Sequence, residues 1–165
     1  MKKNTEKTNV MRLLEQKKIP FISHNYTDTG VVSGVEVAAV LNQNPAQVYK
    51  TLVTVGNSNA NYVFLIPVQK ELDLKKAARA VGEKSIRMVK SKELLPLTGY
   101  VHGGCSPIGM KKPFRTVLDA SAADLNTILF SGGRIGHQVE VPFRELKNIL
   151  RYELADLVET PESVP

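Results

Sequence analysis

Lys50 is the residue of this sequence whose surroundings most call for a chemical explanation. It lies in Gln47-Val48-Tyr49-Lys50-Thr51-Leu52-Val53-Thr54-Val55, between Asn44-Pro45 and Gly56-Asn57. The β-branched content and the flanking turn residues predict a strand. Alternation then puts Val48, Lys50, Leu52 and Thr54 on one face and Tyr49, Thr51, Val53 and Val55 on the other. An ammonium in line with Val48 and Leu52 points at an apolar wall or into a cavity, where desolvation leaves it in need of a partner. The plainer alternative is an edge-strand lysine that snorkels to water and deters strand-to-strand pairing.

Two glycine-rich stretches are the next candidates. Gly99 to Pro113 holds four glycines and two prolines, which predicts a long, shaped loop. Its paired Gly103-Gly104 lets a ligand approach the backbone and can turn N–H groups toward an anion or a carbonyl oxygen. A tight turn without a ligand is the other reading. Cys105 and His102 in this loop suggest a thiol nucleophile with a base, but three residues apart they need not face each other, and no third orienting residue is evident. Ser131-Gly132-Gly133-Arg134-Ile135-Gly136 is a second such turn and matches neither the P-loop nor the dinucleotide fingerprint. His24 and Tyr26 are expected to share a strand face, where ordinary hydrogen bonding would also account for them.

The elements that must carry these residues are legible as a pattern of short pieces. A first amphipathic helix is expected over Thr8 to Lys18 and a short strand over Pro20 to Tyr26. Ser33 and Glu36 form a capping-box signature for a helix through about Leu41, and Asn44-Pro45 starts a further turn. Tyr62 to Val68 reads as a buried strand pairing with the Lys50 strand. Asp73 caps a helix ended by Gly82. Ile86 to Val89 is a short strand, and Ser91 caps a helix that Pro96 and Gly99 interrupt. Strands are expected at Arg115 to Asp119, Thr127 to Phe130 and His137 to Val141, with a helical turn at Ser121 to Asp124. Pro142 opens a helix through Leu150, and the tail from Arg151 adds one helical turn before fraying. Strands mixed irregularly with short helices indicate α+β.

With 165 residues and no repeat or linker, the chain is expected to be one domain, 1–165. Its apolar runs are too short to cross a membrane. No apolar stretch follows the basic start, so no signal peptide is expected and the cytoplasm is the expected compartment. One cysteine excludes an intrachain disulfide, and one cysteine with three scattered histidines makes structural zinc an unexpected reading. No cofactor is implied. The net charge of +6 and pI of about 9.4 favour a polyanionic partner. Lys111 and Lys112 beside the first glycine loop, with Arg134 in the second, are the candidate contacts to the phosphates of such a partner.

The motifs become specific when taken together. Val48-Tyr49-Lys50-Thr51-Leu52, Leu72-Asp73-Leu74-Lys75-Lys76, Thr98-Gly99-Tyr100-Val101, Gly103-Gly104-Cys105-Ser106-Pro107-Ile108-Gly109 and Ser131-Gly132-Gly133 resemble the YbaK/EbsC family of Cys-tRNA(Pro) deacylases, over about Val10 to Leu157. The resemblance implies a mixed, partly barrel-like β-sheet with surrounding helices. It also implies a trans-editing enzyme that cleaves the ester between cysteine and the tRNA 3′ end, with prolyl-tRNA synthetase as an expected partner. Catalytic roles fall on Lys50, Gly103 and Gly104. Substrate binding falls on Tyr26, Thr51, Ser131, Gly132, Gly133 and Gln138. Many members carry an aspartate where this chain has Gln138, and some an aromatic residue where it has Ser33, which leaves the amino-acid preference open. The family's chemistry uses the substrate's own thiolate, which attacks the ester and leaves as a thiolactone. Alternatives from other classes are a module that binds aminoacyl-tRNA without hydrolysing it, an editor of Ala-tRNA(Pro), and a hydrolase using Cys105.

Overall fold

The computed structural model describes residues 7–160; the basic start as far as residue 6 and the end of the tail from 161 lie outside the described residues. The elements run α1 (Asn9–Gln16), β1 (Ile22–Asn25), α2 (Gly34–Val40), β2 (Tyr49–Gly56), β3 (Asn61–Pro67), α3 (Leu74–Val81), β4 (Ile86–Met88), α4 (Ser91–Thr98), β5 (Arg115–Asp119), β6 (Thr127–Ser131), β7 (His137–Pro142), α5 (Phe143–Leu146) and β8 (Glu153–Ala155). Single 3-10 turns stand at Thr27–Thr29, Pro45–Gln47 and Ala120–Asp124. The strands form a three-stranded sheet, β1-β7-β6, and a five-stranded sheet, β4-β2-β3-β5-β8. The larger sheet is mixed: β5 runs parallel to both β3 and β8. The α+β class and the mixed sheets agree with the sequence, and the two sheets do not close into a barrel.

Local chemistry explains most of the pieces. Thr8 caps α1 by accepting Met11 N–H, and α1 buries Val10, Met11 and Leu14. Ser33 Oγ accepts Glu36 N–H at 3.2 Å to start α2. Asn44 Oδ1 accepts Ala46 N–H at 3.0 Å, with Pro45 in the first turn position. Asp73 accepts the N–H groups of Lys75 and Lys76, and Gly82 ends α3 in the left-handed conformation. The β2–β3 hairpin pairs Lys50 with Ile66 and Thr51 with Leu65. Glu83 fastens its turn through Ser58 and Tyr62.

The five-stranded sheet has a core on each face. One contains Val10 and Leu14 of α1, Tyr49 and Val53 of β2, and Phe130 and Val139 of the smaller sheet. The other packs Phe64, Ile66 and Val117 against Ala77, Ala78 and Val81 of α3 and against Leu157. Each fully buried Leu, Val or Phe contributes roughly 1.5–3 kcal/mol relative to exposure. The two sheets meet where Val48 makes a parallel bridge to Leu129.

The structure departs from the sequence reading in four places. Ser91 is inside α4 rather than its cap: Glu93 reaches back to accept Lys90 N–H at 2.9 Å, which starts the helix at Lys90. Pro96 does not interrupt that helix, which runs to Thr98. The N–H it lacks would have met the carbonyl of Lys92, which is exposed and can be satisfied by water. The helix expected from Pro142 to Leu150 stops at Leu146, after which Asn148 and Ile149 donate to carbonyls three residues back. The tail forms β8 rather than a helical turn. It gives β5 a parallel neighbour, and Glu159 N–H donates to Glu71 O at 2.9 Å. Among the described residues no helix is long and apolar enough to cross a membrane.

Candidate active site at the junction of the two sheets

The site forms where β2 passes between sheets. One edge of β2 pairs with β3 from Tyr49↔Pro67 to Val55↔Asn61. The other edge is shared. Val48 bridges Leu129 at one end. At the other, β4 pairs only with Thr54 to Gly56, and Val89 N–H donates to Val53 O at 3.2 Å. Residues of an antiparallel strand alternate in the direction of their backbone polar groups. Val68 N–H donates to Val48 O at 2.8 Å, so Val48, Lys50 and Leu52 direct their backbones at β3. Thr51, like Val53, directs its backbone the other way, and among the described residues no strand covers it there.

A cavity of about 890 Å³ opens at this gap, within the range of pockets that hold small ligands. Tyr49, Val53, Leu94 and Phe130 line it from the main core. The start of α2, from Ser33 to Val37, lines it, as do Met88 to Ser91. Of the residues singled out from the sequence, Tyr26, Lys50, Thr51, Gly103, Ser131 and Gln138 line the cavity, together with Cys105 and His102. Gly104, Gly132, Gly133, Lys111, Lys112 and Arg134 do not. The three cations of that set are exposed around the glycine loops, and Lys111 donates to Pro96 O at 3.3 Å.

Lys50 stands between Val48, which packs with Ala38, Val68 and Leu129, and Leu52, which packs on the second core. Its ammonium makes no hydrogen bond or ion pair with another described residue. Beside it, Thr51 Oγ1 is the buried side-chain oxygen without a hydrogen-bond partner among the described residues. A buried hydroxyl left unpaired costs about 1–3 kcal/mol. That cost is recovered when a ligand or water completes it. Glu36 and Glu71 also line the cavity from exposed positions, and Glu36 is engaged by Ser33 Oγ at 3.2 Å.

The two loop glycines differ. Gly103 lines the cavity at φ +88°, and a Cβ there would lie 2.7 Å from Val32 Cγ1. Gly104 packs backbone against backbone on the second turn: a Cβ there would lie 2.9 Å from Ile135 N. Its own N–H donates to Val101 O at 3.0 Å. Ser131 accepts Gly133 N–H at 3.1 Å and pairs across the sheet with Gln138. Gln138 is almost fully buried and exchanges two hydrogen bonds with Gln43.

Cys105 is buried, and burial pushes its thiol up to about 12, against a smaller opposing effect of its hydrogen bond with Thr98. No hydrogen bond joins it to His102. This geometry gives no support to a Cys–His nucleophile. His24 lies opposite Gln138, a cavity-lining residue, and Tyr26 continues the same register by donating its N–H to Gly136 O at 2.8 Å, so the two fall on one face as expected. Asn25 Oδ1 accepts Thr27 N–H at 2.9 Å, which turns the chain after Tyr26. Tyr26 enters the cavity wall, and burial raises its hydroxyl. His24 instead meets Glu140 at 2.9 Å. Burial alone would raise the Glu140 carboxyl, but hydrogen bonds from His24 and Thr127 outweigh it and hold it below its ordinary range.

Sequence reasoning missed the support behind the wall. Tyr49 shares a hydrogen bond with Ser121 at 2.6 Å; Ser121 in turn donates to Asp119, whose other oxygen accepts Leu157 N–H at 2.9 Å. Burial takes the Tyr49 hydroxyl to about 12. Asp119 followed by Ser121 is a local Asx-type turn signal, but its link to Tyr49 spans 72 residues and has no local signature. Among the described residues no group of three or more His, Cys, Asp and Glu could hold a metal ion.

A family profile described as an aminoacyl-tRNA editing domain matches residues 29–149. A protein of Enterococcus faecalis, EbsC, named as a candidate Cys-tRNA(Pro)/Cys-tRNA(Cys) deacylase, is 40% identical over 157 residues, covering 94% of this chain and 96% of that protein. A solved structure described as a candidate trans-editing enzyme for prolyl tRNA synthetase has a TM-score of 0.78 at 26% identity, covering 94% of this chain and 100% of the other. A crystal structure of a hypothetical protein shares the fold, with a TM-score of 0.83 at 24% identity over 92% of this chain and 100% of its own. The extent of the profile match and the identity to EbsC place this chain in the aminoacyl-tRNA editing domain family, in its YbaK/EbsC branch.

Proposed function

We propose that this protein is a free-standing deacylase that removes cysteine from mischarged Cys-tRNA(Pro). The observation that carries the reading is the gap beside β2, where an unpaired Lys50 ammonium and the uncovered backbone edge at Thr51 line one cavity. An aminoacyl ester is already activated, so the site must chiefly hold the carbonyl, stabilise the developing oxyanion and exclude the wrong acyl group. The substrate's thiolate attacks its own ester carbonyl carbon. The carbon–oxygen bond to the terminal ribose breaks, the ribose hydroxyl recovers the proton given up by the thiol, and a four-membered thiolactone leaves.

Lys50 stabilises negative charge at the ester and the ribose oxygen. Thr51 offers its uncovered backbone to the acyl group. Gly103 brings loop backbone to the carbonyl, and Gly104 holds that loop on the turn that includes Gly132 and Gly133. Tyr26, Ser131 and Gln138 shape the acyl end. Lys111, Lys112 and Arg134 take tRNA phosphates outside the cavity. Prolyl-tRNA synthetase, which makes the error, is the proposed partner, and the cytoplasm the proposed setting.

The test is incubation of the purified protein with labelled Cys-tRNA(Pro) and Ala-tRNA(Pro). Loss of label from the first alone is expected. Loss from the second makes the protein an alanine editor, and tight binding without loss of either makes it a binding module.

A further inference from the structure

Gln138 is 3% exposed yet lines the cavity. Gln43 Nε2 donates to Gln138 Oε1 at 2.7 Å, and Gln138 Nε2 donates back to Gln43 Oε1 at 3.2 Å. Gln43 is not on the cavity wall. It follows α2, with its N–H donated to Ala38 O at 2.8 Å. A primary amide carries two donor hydrogens and an oxygen with two lone pairs. The reciprocal pair uses one of each, so Gln138 retains one N–H and one lone pair. No other described side chain takes them. His24, opposite Gln138 across the β1–β7 pair, directs Nε2 to Glu140.

We propose that Gln43 is a positioning residue. It holds the Gln138 amide in the plane of the cavity wall, and the remaining edge of that amide receives the α-amino group of the aminoacyl ester. This rests on the deacylase reading for the identity of the ligand. Lys50 cannot take that group, because two cations repel. Glu36 and Glu71 line the cavity from its exposed rim, and Glu36 is already engaged by Ser33 Oγ at 3.2 Å. Gln138 is a buried, neutral contact with a free acceptor for an amine or an ammonium and a free donor for a neutral amine. Gln43 sets its reach without touching substrate.

The test uses two non-hydrolysable probes, 3′-cysteinylamido-3′-deoxyadenosine and its counterpart lacking the α-amino group, with Kd measured by calorimetry. Wild-type protein should bind the amino probe about tenfold more tightly. Gln43→Leu should reduce that ratio to under about threefold while the deamino Kd changes less than about twofold. Gln43→Glu keeps an acceptor for Gln138 Nε2 and should retain most of the ratio. A wild-type ratio near one, an unchanged ratio in folded Gln43→Leu, or equal weakening of both probes overturns the proposal. Cys-tRNA turnover by the wild-type protein is measured beside it. Absent turnover with the ratio pattern intact counts against the deacylase reading alone; turnover without the pattern counts against Gln43 alone.

Discussion

Lys50, on β2, and Lys76, on the α3 helix that packs over the same side of the larger sheet, are both half-buried cations, and the fold treats them differently. Lys76 Nζ donates to Val158 O at 2.7 Å and to Thr160 Oγ1 at 3.3 Å, and pairs with Asp156 at 3.0 Å. It ties the tail to α3. Lys50 meets no acceptor from the described protein, and its neighbour Thr51 keeps an unpartnered hydroxyl. Around Lys76 the polar groups complete one another; at the β2 gap they are left open at a cost in stability. Groups left open beside a cavity of ligand size are what a binding site requires.

The largest effect expected from this contrast is on Lys50. Lys50→Ala should lower deacylation roughly a hundred- to a thousand-fold and leave thermal stability unchanged or slightly raised. Lys50→Arg should restore little, because a planar fork does not replace a compact ammonium. Lys76→Ala should do the reverse: activity retained and stability lower by about 1 kcal/mol, a fall in Tm of about 2–4 °C. Calorimetry and single-turnover deacylation on the pair decide it; equal activity of the two variants would erase the distinction.

Gly104→Ala comes next. Its Cβ would press on Ile135 N at 2.9 Å, and backbone does not yield as a side-chain tip does. The two glycine loops should part, with an expected loss of about 1–3 kcal/mol in stability and of about tenfold in kcat/KM.

Cys105 supplies a sharper division between catalytic and structural groups. With its thiol at about 12, the thiolate at pH 8 is on the order of one molecule in ten thousand. Cys105→Ala should therefore keep activity within about threefold. Enzyme-dependent rates should rise with pH and level off above about 8.5, the ordinary thiol value, as the substrate thiol ionises. A rate that keeps climbing tenfold per unit to pH 9.5, and vanishes in Cys105→Ala, would assign the attack to Cys105.

The smallest effects belong to the exposed cations. Lys111→Ala, Lys112→Ala and Arg134→Ala should each reduce the slope of log affinity for tRNA against log salt by about 1, with kcat unchanged. Filter binding at several salt concentrations checks it.

The sequence disclosed what is local. Asp73 with Gly82, Ser33 with Glu36, and Asn44-Pro45 each satisfy backbone groups within a few residues, so the corresponding starts and stops were legible. Strand alternation around Lys50 was legible for the same reason: Val48 and Leu52 do share its side of the sheet. The misplaced features depend on distant partners. The tail reads as a helical turn until β5 offers it an edge. The uncovered edge at Thr51 is a property of two sheets diverging, and no spacing within β2 encodes it. Gln43 was invisible because its partner lies 95 residues away. Resemblance drew Lys50, Gly103 and Gln138 toward one site; the cavity supplies the geometry that resemblance alone lacks.

The link from Asp119 to Leu157 bears on how the protein is made. β8 is the last strand of the larger sheet, and it pairs in parallel with β5, whose final carboxylate receives Leu157 N–H. That same carboxylate accepts from Ser121, which holds the Tyr49 hydroxyl behind the cavity. During synthesis, the segment carrying Lys50 leaves the ribosome long before the residues that complete this chain of bonds. The β2–β3 hairpin can form early, since its contacts are local. The Asp119 end of that chain of bonds stays untethered until residue 157 has emerged, so a stalled nascent chain of about 150 exposed residues should hold much of the sheet yet bind substrate more weakly than the finished protein.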